Sequence, residues 1–151
     1  MKLEKEIRQK TFRNDSHKLG VNIIYTFNWM QSLHSDMLKE HKITYQQFNV
    51  LRILRGQQPH PASVKLIRER MLDKMSDASR IVEKLRVKGF VVRNISEDDR
   101  RSCEVQITDK GLQLLAKIDE HNDTYDIFFS QLSVFEIKEL NRLLDKLRGD
   151  N

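Results

Sequence analysis

A single cysteine, Cys103, leaves no internal disulfide and no cysteine-cluster zinc site to build. Only two prolines occur, Pro59 and Pro61, in Gly56-Gln57-Gln58-Pro59-His60-Pro61, which marks a break between elements. Glycines number five in 151 residues, too few for most phosphate-cradling loops. No Gly-x-Ser-x-Gly, His-Glu-x-x-His, phosphate-binding glycine loop or dinucleotide fingerprint is present, so the sequence offers no case for an enzyme and calls for no cofactor. No stretch approaches the roughly 20 apolar residues that span a bilayer. The opening Met1-Lys2-Leu3-Glu4-Lys5-Glu6 interleaves charge with isolated apolar residues and lacks the apolar core of a signal peptide. The expected setting is therefore the cytoplasm, with no membrane partner. Repeats, low-complexity tracts and Gly/Ser linkers are also missing, and the length suits one domain.

What is present is charge, at 32% of residues against 38% apolar, the mix of a globular protein rich in solvated helix. Its placement matters more than the net +5. Residues 1–42 carry 8 Lys/Arg and 5 Asp/Glu, residues 43–108 carry 13 and 8, and residues 109–151 carry 6 and 9. A basic middle beside an acidic end fits a polyanion-binding module next to a segment with another job.

Hydrophobic periodicity divides the chain into elements. Leu19, Ile23, Phe27, Met30, Leu33 and Met37 recur at three and four, giving a long helix over about 19–38. Leu3, Ile7 and Phe12 suggest a short preceding helix or arm. A second helix starts at Thr44, where Thr44 and Gln47 make a capping box, and Phe48, Leu51, Ile53 and Leu54 form its apolar face up to Gly56. A third runs from about Ala62 to Met71 and buries Val64, Leu66, Ile67 and Met71. A fourth takes Asp73 as its expected N-cap, turns Ala78, Ile81, Val82 and Leu85 inward, and stops at Gly89. The period then changes: Phe90–Ile95 reads as a strand, Ser96–Arg101 as a polar turn, and Cys103, Val105 and Ile107 alternate as in a half-buried strand. Leu112, Leu115, Ile118, Tyr125, Phe129 and Leu132 predict one long helix. Ser133 with Glu136 caps a last one carrying Ile137, Leu140, Leu144 and Leu147.

The fold class is thus mainly α with a small β-hairpin, in the order of a winged helix-turn-helix. Such a unit lays the outer face of its fourth helix in a major groove, while the hairpin tip reaches phosphate or a minor groove. The candidate DNA contacts are Lys65 and Arg68 on the bracing helix, with Arg70 beside them, and Lys74, Ser76, Asp77, Arg80 and Lys84 on the reading helix. Asp99, Arg100 and Arg101 at the hairpin tip complete the set. Helix N-termini favour phosphate and arginine grips guanine edges bidentately. Asp77 is the unexpected member, suited to a cytosine amino group or to orienting Arg80 or Lys84. The alternative is a winged-helix protein-interaction module that has lost DNA binding. It predicts a neutral or acidic reading face, against which Arg80, Lys84, Arg100 and Arg101 argue.

Residues Thr44–Leu115 resemble the MarR (multiple antibiotic resistance regulator) family. The motifs that carry the resemblance are Arg80-Ile81-Val82-Glu83-Lys84-Leu85, Lys88-Gly89-Phe90-Val91, Asp98-Asp99-Arg100-Arg101 and Ile107-Thr108-Asp109-Lys110-Gly111. The flanking helices match by pattern, so the likeness extends over nearly the whole chain. It implies a homodimer held by N- and C-terminal helices, here 1–42 and 109–151, around a winged-helix lobe at 43–108. It also implies a transcriptional regulator, a repressor on a pseudo-palindromic operator, whose double-stranded DNA is released when a small-molecule effector or oxidant arrives. By the same resemblance Asp99 and Arg101 match a wing Asp-x-Arg pattern in which the acid steadies an arginine near the minor groove, and Arg80 matches a recognition-helix arginine. Where relatives often have a Gly-hydrophobic-Ser/Thr turn before that helix, this chain has Leu72-Asp73-Lys74.

The family's peroxide-sensing branch uses a cysteine near the start of the first long helix. None occurs there, and Cys103 reads as an ordinary strand residue. The histidines 17, 34, 41, 60 and 121 make no close-spaced ligand pair, so no metal site is assigned. Tyr25, Phe27, Trp29 and Met30 are candidates for an effector pocket between the dimerisation helices and the DNA-binding lobe, or else for core and dimer contacts.

Overall fold

The computed structural model describes residues 1–95, 103–120 and 126–149. They form two compact units, Met1–Leu112 and Gln113–Asn151. The first opens with a four-residue helix α1 (Leu3–Glu6), followed by a long α2 (Asp15–Lys39). Helix α2 begins a turn before its apolar stripe because a polar cap starts it: the Asn14 side chain accepts from the His17 amide at 2.9 Å. Lys18 donates to Glu4 at 2.5 Å and ties α1 to α2, which holds the Glu4 carboxyl below its ordinary value. Of the α2 residues only Leu38 is buried, while Leu19 and Phe27 are more than half exposed.

Helix α3 (Tyr45–Arg55) starts at the expected capping box, with the Gln47 amide donating to the Thr44 hydroxyl at 3.2 Å and the Thr44 amide to Gln47 Oε1 at 3.1 Å. Next comes a two-residue strand, β1 (Ala62–Ser63), then α4 (Val64–Arg70). The third helix therefore begins two residues later than Ala62. Ala62 and Ser63 are extended, and the Ser63 hydroxyl caps α4 by accepting from the Leu66 amide at 3.1 Å. Helix α5 (Ala78–Val87) and strands β2 (Val91–Ile95) and β3 (Cys103–Ile107) complete the lobe. The sheet has three antiparallel strands in the order β1-β3-β2, with Ala62 opposite Val105, and Val91 opposite Ile107. The expected hairpin is there, and β1 adds the strand that a two-residue segment was too short to announce.

Val50 and Leu51 of α3, Ile67 of α4, Val82 and Leu85 of α5, and Val105 of β3 are fully buried. Their side chains converge behind α5, so one face of that helix is pinned to the core while the other stays in water. Its C-terminus turns at Gly89, whose φ of +76° is the left-handed conformation that glycine adopts without strain. From there the Lys88–Phe90 and Thr108–Gly111 segments lock together. The Thr108 hydroxyl donates to the Gly89 carbonyl at 2.8 Å and accepts from the Gly111 amide at 3.2 Å, and Lys110 Nζ donates to the Lys88 carbonyl at 2.8 Å and lies 5.0 Å from the Phe90 ring centre. A Cβ on Gly111 would lie 2.5 Å from the Phe90 carbonyl oxygen.

Helix α6 (Asp109–Asp119) crosses into the second unit. It stops well short of Leu132: between Asp126 and Leu132 the backbone bonds of Phe129, Ser130 and Leu132 reach back three residues rather than four, as in tight turns. Tyr125 lies outside the described residues. Helix α7 (Val134–Leu147) begins at the expected Ser133–Glu136 capping box. It buries none of its residues: Val134, Phe135, Leu140, Leu143 and Leu147 are all exposed.

Candidate nucleic-acid interface

The outward face of α5 is set by where the helix begins. Its N-cap is Asp77, whose Oδ1 accepts from the Arg80 amide at 3.1 Å. Asp73, the expected cap, stands four residues too early. It instead closes the preceding turn, with Oδ1 accepting from the Met75 amide at 3.0 Å and Oδ2 from the Ser76 hydroxyl at 2.6 Å. The Ser76 bond is the main reason that its carboxyl sits below the ordinary range. Asn49 of α3 fixes the other end of the turn by accepting from the Leu72 amide at 3.0 Å. Two aspartates thus divide the work that a glycine turn does in relatives, and no glycine is needed because no residue of the turn has positive φ.

The candidate residues fall into two groups. Lys74, Ser76 and Asp77 shape the turn: Lys74 Nζ donates to the Glu69 carbonyl, Ser76 to Asp73, and Asp77 caps the helix. Lys65 and Arg68 on α4, and Arg80 and Lys84 on α5, are exposed, and no described residue pairs with their head groups. Other nearby cations have partners. Arg86 holds Glu83 through two bonds of 3.0 and 2.8 Å, and Arg70 donates to Gln57 at 3.0 Å. The unpaired cations recur at spacings of three on α4 and four on α5, where like charges repel by a few tenths of a kcal/mol. A face that keeps such repulsion, with no described anion bonded to these four head groups, is suited to an external polyanion. Asp99, Arg100 and Arg101 lie outside the described residues.

Beside the turn is a cavity of about 490 Å³. Phe27, Met30, Gln31 and His34 supply one wall from α2, Tyr45 and Gln46 the start of α3, and Leu72, Asp73 and Lys74 the turn before α5. Tyr25 and Trp29 are not among the lining residues. Positions 27, 30, 31 and 34 form one helical stripe, and 25 and 29 fall on the opposite side. There the Tyr25 hydroxyl donates to Glu6 at 3.1 Å, and partial burial raises its pKa. The His34 and Tyr45 rings lie 4.4 Å apart, and burial makes the His34 imidazole harder to protonate. His34, Tyr45 and the turn escaped the sequence reading because they meet only through tertiary structure. The one available signal was the spacing of 27, 30, 31 and 34.

The MarR family model matches residues 43–103, which cover α3 through the start of β3. The chain is 29% identical to the HTH-type transcriptional regulator MgrA of Staphylococcus aureus over 139 residues, 89% of this chain and 92% of that one. Residues 43–103 thus match the MarR family, and the similarity to a transcriptional regulator extends over most of the chain. It is also 29% identical to the transcriptional repressor MprA of Escherichia coli, over 74% of this chain and 64% of that protein. Among solved structures, a mutant MarR from E. coli complexed with operator DNA shares the fold, with a TM-score of 0.76 at 23% identity over 91% of this chain and 99% of that one. The matched lobe has the winged-helix architecture, and the relatives named here are transcriptional regulators rather than enzymes. Among the described residues no helix is long and apolar enough to cross a membrane.

Proposed function

We propose that the chain is a homodimeric repressor that reads a pseudo-palindromic operator in double-stranded DNA and responds to a small-molecule effector. The observation that carries this reading is the set Lys65, Arg68, Arg80 and Lys84 on α4 and α5, exposed and without a partner among the described residues. Arg80 and Lys84 would enter a major groove, Lys65 and Arg68 would hold phosphate, and the wing residues Asp99, Arg100 and Arg101 would reach the flanking minor groove. Segments 1–42 and 109–151 would form the dimer. Their support is the apolar surface that one protomer leaves in water: Leu19, Ile24 and Phe27 on α2, and Val134, Phe135, Leu140, Leu143 and Leu147 on α7. The repressor role follows the relative named as one. The cavity supports the effector reading, because its wall contains the turn that sets the start of α5. A molecule seated there would bear on the reading helix directly.

The interaction-module alternative loses its main footing. That alternative calls for a neutral or acidic reading face, and Asp77, an acid of the candidate set, has its Oδ1 engaged as the α5 cap. The deciding experiment is selection of bound sites from a random duplex library at near-physiological salt with competitor DNA. An inverted repeat with half-sites about one helical turn apart, roughly 10 base pairs, supports the dimeric reader. Weak binding without a motif, abolished by modest salt, sinks it.

A further inference from the structure

The turn between α4 and α5 carries one apolar side chain that neither the core nor the cavity uses. Met75 is 94% exposed, matched only by Met1 among the large apolar side chains of the described residues. Its backbone is fixed: the Met75 amide is bound by Asp73, the Ser76 hydroxyl by the same carboxylate, and Lys74 is tied back to Glu69. The cavity wall takes in Leu72, Asp73 and Lys74 and does not include Met75. A held backbone therefore presents a flexible, polarisable thioether to water, two residues before the Asp77 cap of the helix that carries the exposed cations Arg80 and Lys84. Cations of that kind favour a nucleic acid over an apolar protein partner as the occupant. In a helix-turn-helix the N-terminal end of the reading helix meets the base edges. Of the four bases only thymine presents an apolar group in the major groove, its C5-methyl.

We propose that Met75 is a specificity-determining residue that buries its side chain against the C5-methyl of a thymine in each half-site. This rests on the sequence-specific duplex binding proposed above. The test uses the full chain and its selected site, with each thymine replaced singly by deoxyuridine, which lacks only that methyl. Affinities are measured for the unaltered protein, Met75→Ala and Met75→Leu. We expect one thymine per half-site at which deoxyuridine weakens the unaltered protein about fourfold, the factor for one methyl leaving an apolar contact. Met75→Ala should lose at least that factor on the thymine site and show no further loss on deoxyuridine. Met75→Leu should keep the methyl preference. Because the side chain is 94% exposed, all three proteins should melt together. A specific site at which every deoxyuridine acts equally on the unaltered protein and Met75→Ala overturns this inference alone. Failure to select any site overturns it together with the proposed function.

Discussion

Arg80→Ala isolates the DNA-facing role of α5, because the fold makes no use of the side chain it removes. The Arg80 guanidinium has no partner among the described residues, and its amide, which Asp77 does use, survives in alanine. Alanine is also the best helix former, so the melting temperature should hold or rise slightly. Loss of an arginine that grips a base or phosphate costs about 1–3 kcal/mol at each half-site. At 1.4 kcal/mol per tenfold, that is about 5- to 150-fold in affinity for a single half-site, and more for a dimer that loses both. Salt titration separates the two kinds of contact. A lost phosphate contact lowers the slope of log K against log salt by about one per half-site, whereas a lost base contact leaves the slope and relaxes sequence preference at one position. Arg86→Ala is the matched control, since Arg86 is held by Glu83 and that exposed pair contributes little to stability. Fluorescence anisotropy on the selected operator reads all of these. An Arg80→Ala dimer that is folded and binds within twofold of the parent, at every salt concentration, would remove α5 from the interface as described.

Substitutions at three other positions test the fold around that helix. Gly111→Ala drives a methyl group to 2.5 Å from the Phe90 carbonyl oxygen and 2.7 Å from Ile107 Cγ1, an overpacking cost of about 1–3 kcal/mol that a helix-propensity gain of about 1 kcal/mol only partly offsets. Thermal melting should fall by a few degrees, and an unchanged midpoint would mean the Phe90–Thr108 joint has slack. Asp77→Ala should cost about 0.5–2 kcal/mol of stability, while Asp77→Asn, which still caps, should keep both stability and DNA affinity; an Asn variant that folds normally but loses sequence preference would restore Asp77 as a base contact. His34 resists protonation when folded because it is partly buried, so the unfolded chain takes up the proton first, and its contribution to stability is lost as pH falls below its ordinary value of 6.5. His34→Gln should therefore flatten the stability profile between about pH 5 and 7, and an identical slope in the two proteins would place the acid sensitivity elsewhere.

Much of the fold was legible in the sequence because its signals are local. The capping boxes at Thr44–Gln47 and Ser133–Glu136, the stop at Gly89 and the alternation of Val105 and Ile107 each depend on residues within one turn or strand of each other. The errors came where local signals compete or fade. Asp73 and Asp77 are both good caps by residue type. Only the burial of Ala78, Val82 and Leu85 places the helix start at the second. Strand β1 exists because β3 pairs with it, and nothing in Ala62-Ser63 alone favours a strand over the first residues of a helix. The apolar series from Leu112 to Leu132 keeps its period past Glu120, while the backbone after Asp126 turns back on three-residue bonds.

The candidate face was marked by residue type, and the structure adds how its side chains are bonded. Residue type marked eight described side chains on α4, the turn and α5 as cationic or hydrogen-bonding. Their bonds then sort them, because a side chain already satisfied by the fold has less to offer DNA. Lys74, Ser76 and Asp77 are spent on the turn, and Arg70 is held by Gln57, which leaves Lys65, Arg68, Arg80 and Lys84 without a partner among the described residues. The same turn forms part of the cavity wall through Leu72, Asp73 and Lys74. Its glycine-free sequence gains a physical reason there. A turn held by Asp73, Asp77 and Asn49 is stiffer than one relying on glycine, and a stiff turn can carry a displacement from the cavity to the start of α5, where a flexible one would absorb it.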